Sequence, residues 1–224
     1  MASKWSPLYT VKGYLRLLGG QRVQSPKNLA TRPTTSRVRE AVINVLARKI
    51  NDSNWLDLFS GSGVMGCEAL QRGAKSIVAI ERDKRIAEIC KANLISIAQA
   101  KNQKESIKVI CNEVIRVLKE GCPKRQGTED QDNRFDLVYL DPPYGSKIYE
   151  STLENLLKGN WLKKDSLVVC EHSSSIMLDT PTLWYEQDRR TYGSSSLLFI
   201  TPQTTSAPVL IPGRNQEPYQ SDWD

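Results

Sequence analysis

The amino-acid sequence predicts an α/β fold, in which helices cover both faces of a mostly parallel β-sheet. Three observations lead to this class. From Trp55 onward, apolar runs of strand length alternate with segments of helical periodicity. A glycine-rich turn at residues 61–66 follows the first of these strands and opens a helix. Repeated β-α units imply parallel pairing, and 224 residues are enough to bury an independent core.

The first part of the chain is predicted to form a β-hairpin followed by a helix. Two short strand-like runs, 14–18 and 21–24, flank the turn Gly19-Gly20. Because a two-stranded unit is marginal alone, this hairpin needs a larger body to pack on. Any of residues 34–36 could cap the next helix. The apolar stripe of that helix consists of Val38, Ala41, Val42, Val45 and Leu46. We predict residues 1–34 to be a basic hairpin extension.

The body of the chain is predicted to be one domain at residues 35–201. Its strands are predicted at 55–59, 76–81, 107–111, 135–140 and 167–170, and its helices at 64–72, 83–99, 113–120 and 147–158. Two later runs, 184–191 and 194–201, flank Gly193 and predict an antiparallel hairpin at one sheet edge. Residues 121–134 are predicted to be an exposed loop. Residues 202–224 contain four prolines and are predicted to be an extended or disordered tail.

Composition argues against several classes of protein. No apolar run approaches the roughly 20 residues that span a bilayer, and the first ten residues lack the apolar core of a signal peptide, so we expect no membrane and a cytoplasmic protein. The five cysteines are widely spaced without a C-x-x-C pair, which predicts neither disulfides nor a metal site. The single histidine, His172, is expected to be structural or peripheral, so we expect no Ser/His/Asp triad.

Basic side chains are concentrated at the beginning of the chain. Residues 1–50 contain ten Lys and Arg but one acidic residue, Glu40, while the net charge of the whole chain is +6. The remaining residues are therefore mildly acidic together. A basic segment joined to an acidic body is typical of polyanion binding. An ordinary solvated charged face is the alternative that charge alone leaves open.

The glycine turn predicts a nucleoside-containing cofactor at the end of the first strand of the body. In open α/β sheets, ligands bind beyond the carboxyl ends of the strands. The spacing of Gly61, Gly63 and Gly66 also matches a dinucleotide fingerprint. Asp57 at the strand end would repel a pyrophosphate but attract the ammonium and sulfonium of S-adenosylmethionine, so it favours the latter. Glu81 ends the next strand, where it can accept hydrogen bonds from ribose hydroxyls of either cofactor.

The segment Asp141-Pro142-Pro143-Tyr144 directly follows the predicted strand 135–140 and indicates amine chemistry. An exocyclic base amine is a poor nucleophile because its lone pair is delocalised into the ring. Two acceptors on its hydrogens, the Asp141 carboxylate and the Pro142 carbonyl, would aim that lone pair at a methyl group and stabilise developing positive charge. Tyr144 could stack on the base, which must leave its own stack to enter.

Four motifs occur in order along the chain: Arg32-Pro-Thr-Thr-Ser-Arg-Val-Arg-Glu40, Asp57-Leu-Phe-Ser-Gly-Ser-Gly63, Glu68-Ala-Leu-Gln-Arg-Gly-Ala74 and Asp141-Pro-Pro-Tyr144. Together they resemble the RsmD family of bacterial 16S rRNA guanine-N2 methyltransferases. The Arg-Pro-Thr segment separates this resemblance from general amino methyltransferases. The resemblance implies a Rossmann-like class I S-adenosylmethionine-dependent methyltransferase fold with seven strands, and methylation at N2 of the guanine 966 type.

The resemblance also implies roles for individual residues. Donor contacts are expected from Asp57, Phe59, Gly61, Gly63, Glu81 and, near the adenine, Glu113. Catalysis is expected from Asp141, Pro142, Pro143 and Tyr144. Contacts to RNA are expected from the hairpin and the segment after it, at Arg16, Arg22, Arg32, Thr34, Arg37 and Arg39. The partner would be 16S rRNA in the small ribosomal subunit or a late precursor, and we expect the protein to act as a monomer.

The sequence departs from the family pattern on the hairpin, where relatives often have Trp-Arg-Gly-Arg and this chain has Gln21-Arg22-Val23-Gln24. This puts individual RNA contacts in doubt. Three other functions remain open from the sequence. They are adenine-N6 methylation of DNA or RNA, which uses the same chemistry, a catalytically idle RNA-binding module, and an NAD(P) enzyme.

Overall fold

The computed structural model describes residues 13–26, 34–100, 107–123, 133–143 and 146–203. Strands in these ranges lie at Gly13–Arg16 (β1), Arg22–Ser25 (β2), Asn54–Leu58 (β3), Ser76–Glu81 (β4), Ile107–Cys111 (β5), Phe135–Leu140 (β6), Leu162–Ser173 (β7), Trp184–Tyr192 (β8) and Ser195–Pro202 (β9). Helices lie at Ser36–Ile50 (α1), Val64–Gln71 (α2), Lys84–Gln99 (α3), Val114–Lys119 (α4) and Ser146–Lys158 (α5).

Seven of the described strands form one sheet in the order β5-β4-β3-β6-β7-β9-β8. Pairing is parallel from β5 to β7 and antiparallel where β9 joins β7 and β8. The chain runs outward from β3 to β5 and then returns to place β6 on the other side of β3. This reversal puts a topological switch point between β3 and β6, and ligands in open α/β sheets bind beside such points.

Helices cover both faces of the sheet, as predicted, because side chains alternate along each strand. Trp55, Leu137 and Tyr139 point into a core shared with α1, α2 and α3. Leu56 and Leu140 point into a second core shared with α4 and α5. Each strand of the centre is therefore apolar on both faces, which is the pattern of a buried parallel strand.

The predicted elements agree closely with those observed, and the differences lie at element ends. Thr35 supplies the cap of α1, since its Oγ1 accepts from the Val38 N–H at 3.3 Å. The last parallel strand, β7, runs from 162 to 173 instead of 167 to 170, with a register shift between Phe135 and Leu137 of β6. The predicted tail beyond Gln203 and most of the predicted loop at 121–134 lie outside the described residues.

The β1–β2 hairpin is fixed to the body by a buried ion pair between α1 and α2. Arg39 is 3% exposed and Glu68 is fully buried. The Arg39 Nε donates to Glu68 Oε1 at 3.3 Å, and its two terminal nitrogens donate to the Thr34 and Arg16 carbonyls. Glu68 also accepts from the Leu18 N–H and from Arg72. One carboxylate and one guanidinium thus join the hairpin, the segment after it and two helices.

A single amide side chain ties the other hairpin strand to the glycine turn. Asn93 of α3 is buried, and its Oδ1 accepts from the Gln24 N–H at 2.8 Å. Its Nδ2 donates to the Gln24 carbonyl and to the Ser62 carbonyl, both at 2.9 Å. Asn93 therefore pairs with Gln24 as a neighbouring strand would, while it also holds the turn at Ser62.

The part of the chain that the structure describes contains no helix long and apolar enough to cross a membrane. Among the same residues, no three His, Cys, Asp or Glu side chains are placed so that they could hold a metal ion. Cys67, Cys90 and Cys170 are free and buried.

The buried ion pair predicts a large loss of stability when one partner is removed. Arg39→Met should lower the free energy of unfolding by roughly 3 kcal/mol, because Glu68 would keep a buried charge with fewer partners. Urea unfolding monitored by tryptophan fluorescence measures this change. The control is Arg37→Met, two residues away and exposed, which should change stability by about 0.5 kcal/mol or less. Equal effects of the two variants would contradict the structural role of Arg39.

Candidate active site

A cavity of about 610 Å³ opens at the carboxyl edge of the sheet, beside the switch point between β3 and β6. This volume lies within the roughly 300–1,000 Å³ of typical small-molecule sites. Residues from the ends of β3, β4, β6 and β7 line the cavity. Ser25, Pro26, Thr34 and Thr35 line it as well, so the segments that flank the undescribed residues 27–33 form part of its wall.

The turn after β3 has a backbone that glycine makes possible. Phe59, Gly61 and Gly63 have φ angles of 60°, 52° and 74°. At Gly63 a Cβ atom would lie 2.6 Å from the Cys90 Sγ, so both conformation and space exclude a side chain there. Gly63 is also the N-cap of α2. Phe59 and Gly61 line the cavity, as the donor-site prediction expects, whereas Gly63 acts by shaping the turn.

Asp57 is a buried carboxyl group beneath this turn. It is 1% exposed, and its Oδ2 accepts from the Gly66 N–H at 3.1 Å. Burial raises the pKa of Asp57 to about 8, with a further increase from the charge of Glu81 and a partial decrease from the Gly66 hydrogen bond. A carboxyl group with this pKa is largely protonated at neutral pH, and a nearby cation would favour its charged form.

The other two acidic residues predicted to contact a donor also line the cavity. Glu81 ends β4, and its two oxygens accept from the Gly61 N–H at 3.0 Å and the Asp83 N–H at 2.8 Å. Glu113 precedes α4 as its N-cap and lies 3.8 Å from the Arg82 guanidinium. Glu81 therefore both supports the glycine turn and faces the ligand space.

Asp141, Pro142 and Pro143 enter the same cavity from the end of β6. Asp57 and Asp141 thus lie on neighbouring parallel strands around one space, as the sequence predicts. Burial raises the pKa of Asp141, and the charges of Glu171 and Asp57 raise it further. Pro142 is buried, which holds the loop against the sheet. Tyr144, predicted to stack on the base, lies outside the described residues.

The structure adds to the cavity a group of polar residues that the sequence did not assign to the site. Glu171 and His172 at the end of β7 line the cavity together with Tyr139 and Tyr149. The Tyr139 hydroxyl donates to Glu171 Oε2, and the Tyr149 hydroxyl donates to the Glu171 carbonyl at 2.5 Å. A carboxylate directly after an apolar strand was the signal that identified Asp57 and Asp141, and Glu171 carries the same signal.

His172, expected to be structural or peripheral, is a buried part of the cavity wall. It is 5% exposed and packs edge-on against the Tyr149 ring. Burial lowers the pKa of His172, which keeps the imidazole neutral at pH 7.

The residues predicted to bind RNA occupy different environments. Arg16, Arg22 and Arg37 are exposed, and the Arg37 guanidinium lies 5.9 Å from the centre of the Tyr192 ring. Thr34 lines the cavity. Arg39, by contrast, is buried with Glu68, so its guanidinium is not presented to solvent. Arg32 lies outside the described residues.

The charge of the cavity indicates which ligands it fits. Its described lining contains six acidic side chains, Asp57, Glu81, Asp83, Glu113, Asp141 and Glu171, and one basic side chain, Arg82. Such a wall attracts a cation and opposes a pyrophosphate. It therefore fits the positively charged S-adenosylmethionine and disfavours a nicotinamide dinucleotide.

Comparison with known proteins agrees with this geometry. The family model described as conserved hypothetical protein 95 matches residues 15–201. Ribosomal RNA small subunit methyltransferase D of Haemophilus influenzae is 34% identical over 186 residues, which covers 81% of this chain and 91% of that protein. The chain belongs to the RsmD family.

Solved structures place this RsmD-family member among the methyltransferases. The Escherichia coli protein yhhF superposes with a TM-score of 0.68 at 26% identity, covering 85% of this chain and 98% of that one. The protein SMU.776 complexed with SAH shares the fold at 13% identity, with a TM-score of 0.58 over 89% of this chain and 57% of that one. The predicted methyltransferase fold, a mostly parallel sheet with C-terminal antiparallel strands, is confirmed.

The pKa of Asp57 predicts how stability depends on pH in the ligand-free RsmD-family chain. The folded chain holds a proton that the unfolded chain releases at the ordinary aspartate pKa of 3.8. The stability from protonated Asp57 is complete below that pH and is lost as the pH rises through about 8. Asp57→Asn removes this titration. As the pH rises from 5 to 8, the free energy of unfolding of Asp57→Asn should therefore increase by roughly 2–4 kcal/mol relative to that of the wild type.

Urea unfolding of both proteins at several pH values measures this difference. The Asn side chain keeps an acceptor for the Gly66 N–H, so the comparison isolates the charge. If the two proteins instead lose or gain stability with pH in parallel, the pKa of Asp57 is not raised in the folded chain, and the prediction is wrong.

Proposed function

We propose that the chain transfers a methyl group from S-adenosylmethionine to the exocyclic N2 of a guanine in 16S rRNA. The observation that carries this proposal is the meeting of Asp57 and Asp141 in one cavity. Asp57 belongs to the glycine turn that suits a donor, and Asp141 belongs to the loop that suits an amine. Methyl transfer requires the methyl group of the donor and the nitrogen of the amine to approach each other in line.

The donor would be held by the turn and by the acidic residues around it. Asp57 and Glu81 attract its ammonium and sulfonium charges, and Glu81 and Glu113 offer acceptors for ribose and adenine groups. Phe59 and Gly61 supply the adjoining wall, and Gly63 fixes the turn. When bound, the donor would supply an electrophilic methyl group attached to its sulfonium sulfur. Its positive charge also offsets the repulsion among the carboxylates, so binding and folding of the site support each other.

Asp141 and the Pro142 carbonyl would hold the two amine hydrogens of the target base. The proton that leaves the amine after methylation has an acceptor in the Asp141 carboxylate, and burial raises the pKa of this group, which strengthens it as a proton acceptor. Pro142 and Pro143 lack N–H groups, so the loop offers carbonyl acceptors and the Asp141 carboxylate with few competing donors. Tyr144 is proposed, from the sequence, to stack on the base.

The hairpin and the segment after it are proposed to bind the RNA backbone through Arg16, Arg22, Arg32, Thr34 and Arg37. Thr34 and Thr35 in the cavity wall would place this surface next to the catalytic loop. Arg39 does not belong to this surface, because its guanidinium holds Glu68 and two carbonyls inside the protein. The substrate is proposed to be the small subunit or a late precursor, on which a monomer would act.

A methyl-transfer assay with mapping of the modified nucleotide tests this proposal. Small subunits that lack the modification are incubated with labelled donor, and the nucleoside is identified by mass spectrometry. We expect N2-methylguanosine at one site. Asp141→Ala should lower kcat by roughly 10²–10³-fold and leave the dissociation constant of the donor within about threefold.

The matched control is Asp136→Asn, because Asp136 lies on the same strand at the end remote from the cavity. This variant should keep nearly full activity. Label in adenine, or in naked DNA alone, would overturn the substrate assignment. Unchanged methylation by Asp141→Ala would overturn the catalytic role of the loop.

A further inference from the structure

Glu171 and Asp141 are neighbouring carboxylates at adjacent strand ends. Leu140 of β6 pairs with Cys170 of β7 in parallel register, so the next residues of the two strands lie side by side. Adjacent strands are about 4.7–4.9 Å apart. Both side chains line the cavity, and the charge of Glu171 contributes to the raised pKa of Asp141. The two backbones are therefore about one strand spacing apart at this point, and both carboxylates face one space.

The Glu171 carboxylate is held in place by its surroundings. It is 5% exposed, and the Tyr139 hydroxyl donates to its Oε2. The Tyr149 hydroxyl donates to its backbone carbonyl, which fixes the strand end from the opposite face. A carboxylate has about four lone-pair directions, so it can accept several hydrogen bonds at once. An acceptor fixed in this way can select the ligand edge that faces it.

The two purine bases differ next to the amine that would be methylated. Guanine has an N1–H donor beside its N2 amine, whereas adenine has an N1 acceptor beside its N6 amine. The catalytic end of the cavity offers acceptors from Asp141 and Glu171, and its two prolines offer no N–H. This arrangement complements the two adjacent donors of guanine, N1–H and the N2 amine, whereas adenine presents an acceptor at N1 beside its N6 amine.

We propose that Glu171 accepts the N1–H of the target guanine while Asp141 holds its N2 amine, so that Glu171 selects guanine over adenine. This inference rests on the proposed methylation of a guanine amine. With adenine in the cavity, its N1 acceptor would face the Glu171 carboxylate, and neither group would have a hydrogen-bond donor inside a buried site. Sites built to hydrogen-bond one substrate group discriminate strongly against an analogue that lacks it.

Replacing the target guanine by 2-aminopurine in the RNA isolates this contact. The analogue keeps the N2 amine but has an unprotonated N1. For the wild type, kcat/KM should fall at least about a hundredfold with the analogue. Glu171→Gln presents an amide that can either accept from N1–H or donate to an unprotonated N1. Its kcat/KM ratio for guanine over 2-aminopurine should therefore shrink at least about tenfold relative to the wild-type ratio.

The matched control is Tyr139→Phe, which removes the hydroxyl that orients Glu171 but keeps the carboxylate. It should lower activity on both bases, and because a carboxylate cannot donate to an unprotonated N1, its preference for guanine should stay larger than that of Glu171→Gln. A structural role of Glu171 would make Glu171→Gln lower both activities equally, and an unchanged ratio overturns the inference. Equal use of both bases by the wild type also overturns it, even if the variant fails to fold. Failure of the proposed function is a different result, namely no methylation of guanine N2 by the wild type.

Discussion

The close approach of acidic side chains at one edge of the sheet is the constraint on which the site depends. Parallel pairing brings the carboxyl ends of β3, β4, β6 and β7 to the same edge, and each of these ends carries or precedes a carboxylate in the cavity wall. Burial and mutual repulsion raise the pKa of Asp57 and Asp141. The same burial and repulsion destabilise the folded, empty site at neutral pH and favour binding of a cation. The same arrangement thus weakens the ligand-free chain and prepares it for a sulfonium donor.

The remaining structure keeps this strained edge in one conformation. The turn at residues 59–63 has three residues with positive φ, and it is held by Glu81 from one side and by Asn93 from the other. Asn93 also holds the hairpin strand β2, while Arg39 and Glu68 hold β1. The hairpin is therefore joined to the glycine turn and to helices α1, α2 and α3 through partly buried hydrogen bonds, which hold the proposed RNA-binding surface beside the cavity.

Sequence reasoning predicted the order of elements because the apolar periods of two and 3.6 residues are strong along this chain. It also predicted that Asp57 and Asp141 lie around one cavity, since each stands at the end of an apolar strand. It did not predict the partnership of Asp141 with Glu171, because that depends on β7 lying beside β6, which no local pattern reports. Arg39 was misjudged for a different reason: its spacing to Val42, Ile43 and Leu46 places it on the apolar face of α1, and a count of basic residues ignores which face each one occupies.

The most direct test of a shared donor and amine site is a crystal structure of the chain with S-adenosylhomocysteine bound. We predict that the amino-acid part of this molecule lies against the Asp57 turn and that its sulfur faces the Asp141–Pro143 segment across the cavity. A methyl group on that sulfur would then point at the space between Asp141 and Glu171. Binding of the molecule elsewhere, or with its sulfur directed away from Asp141, would contradict the shared site.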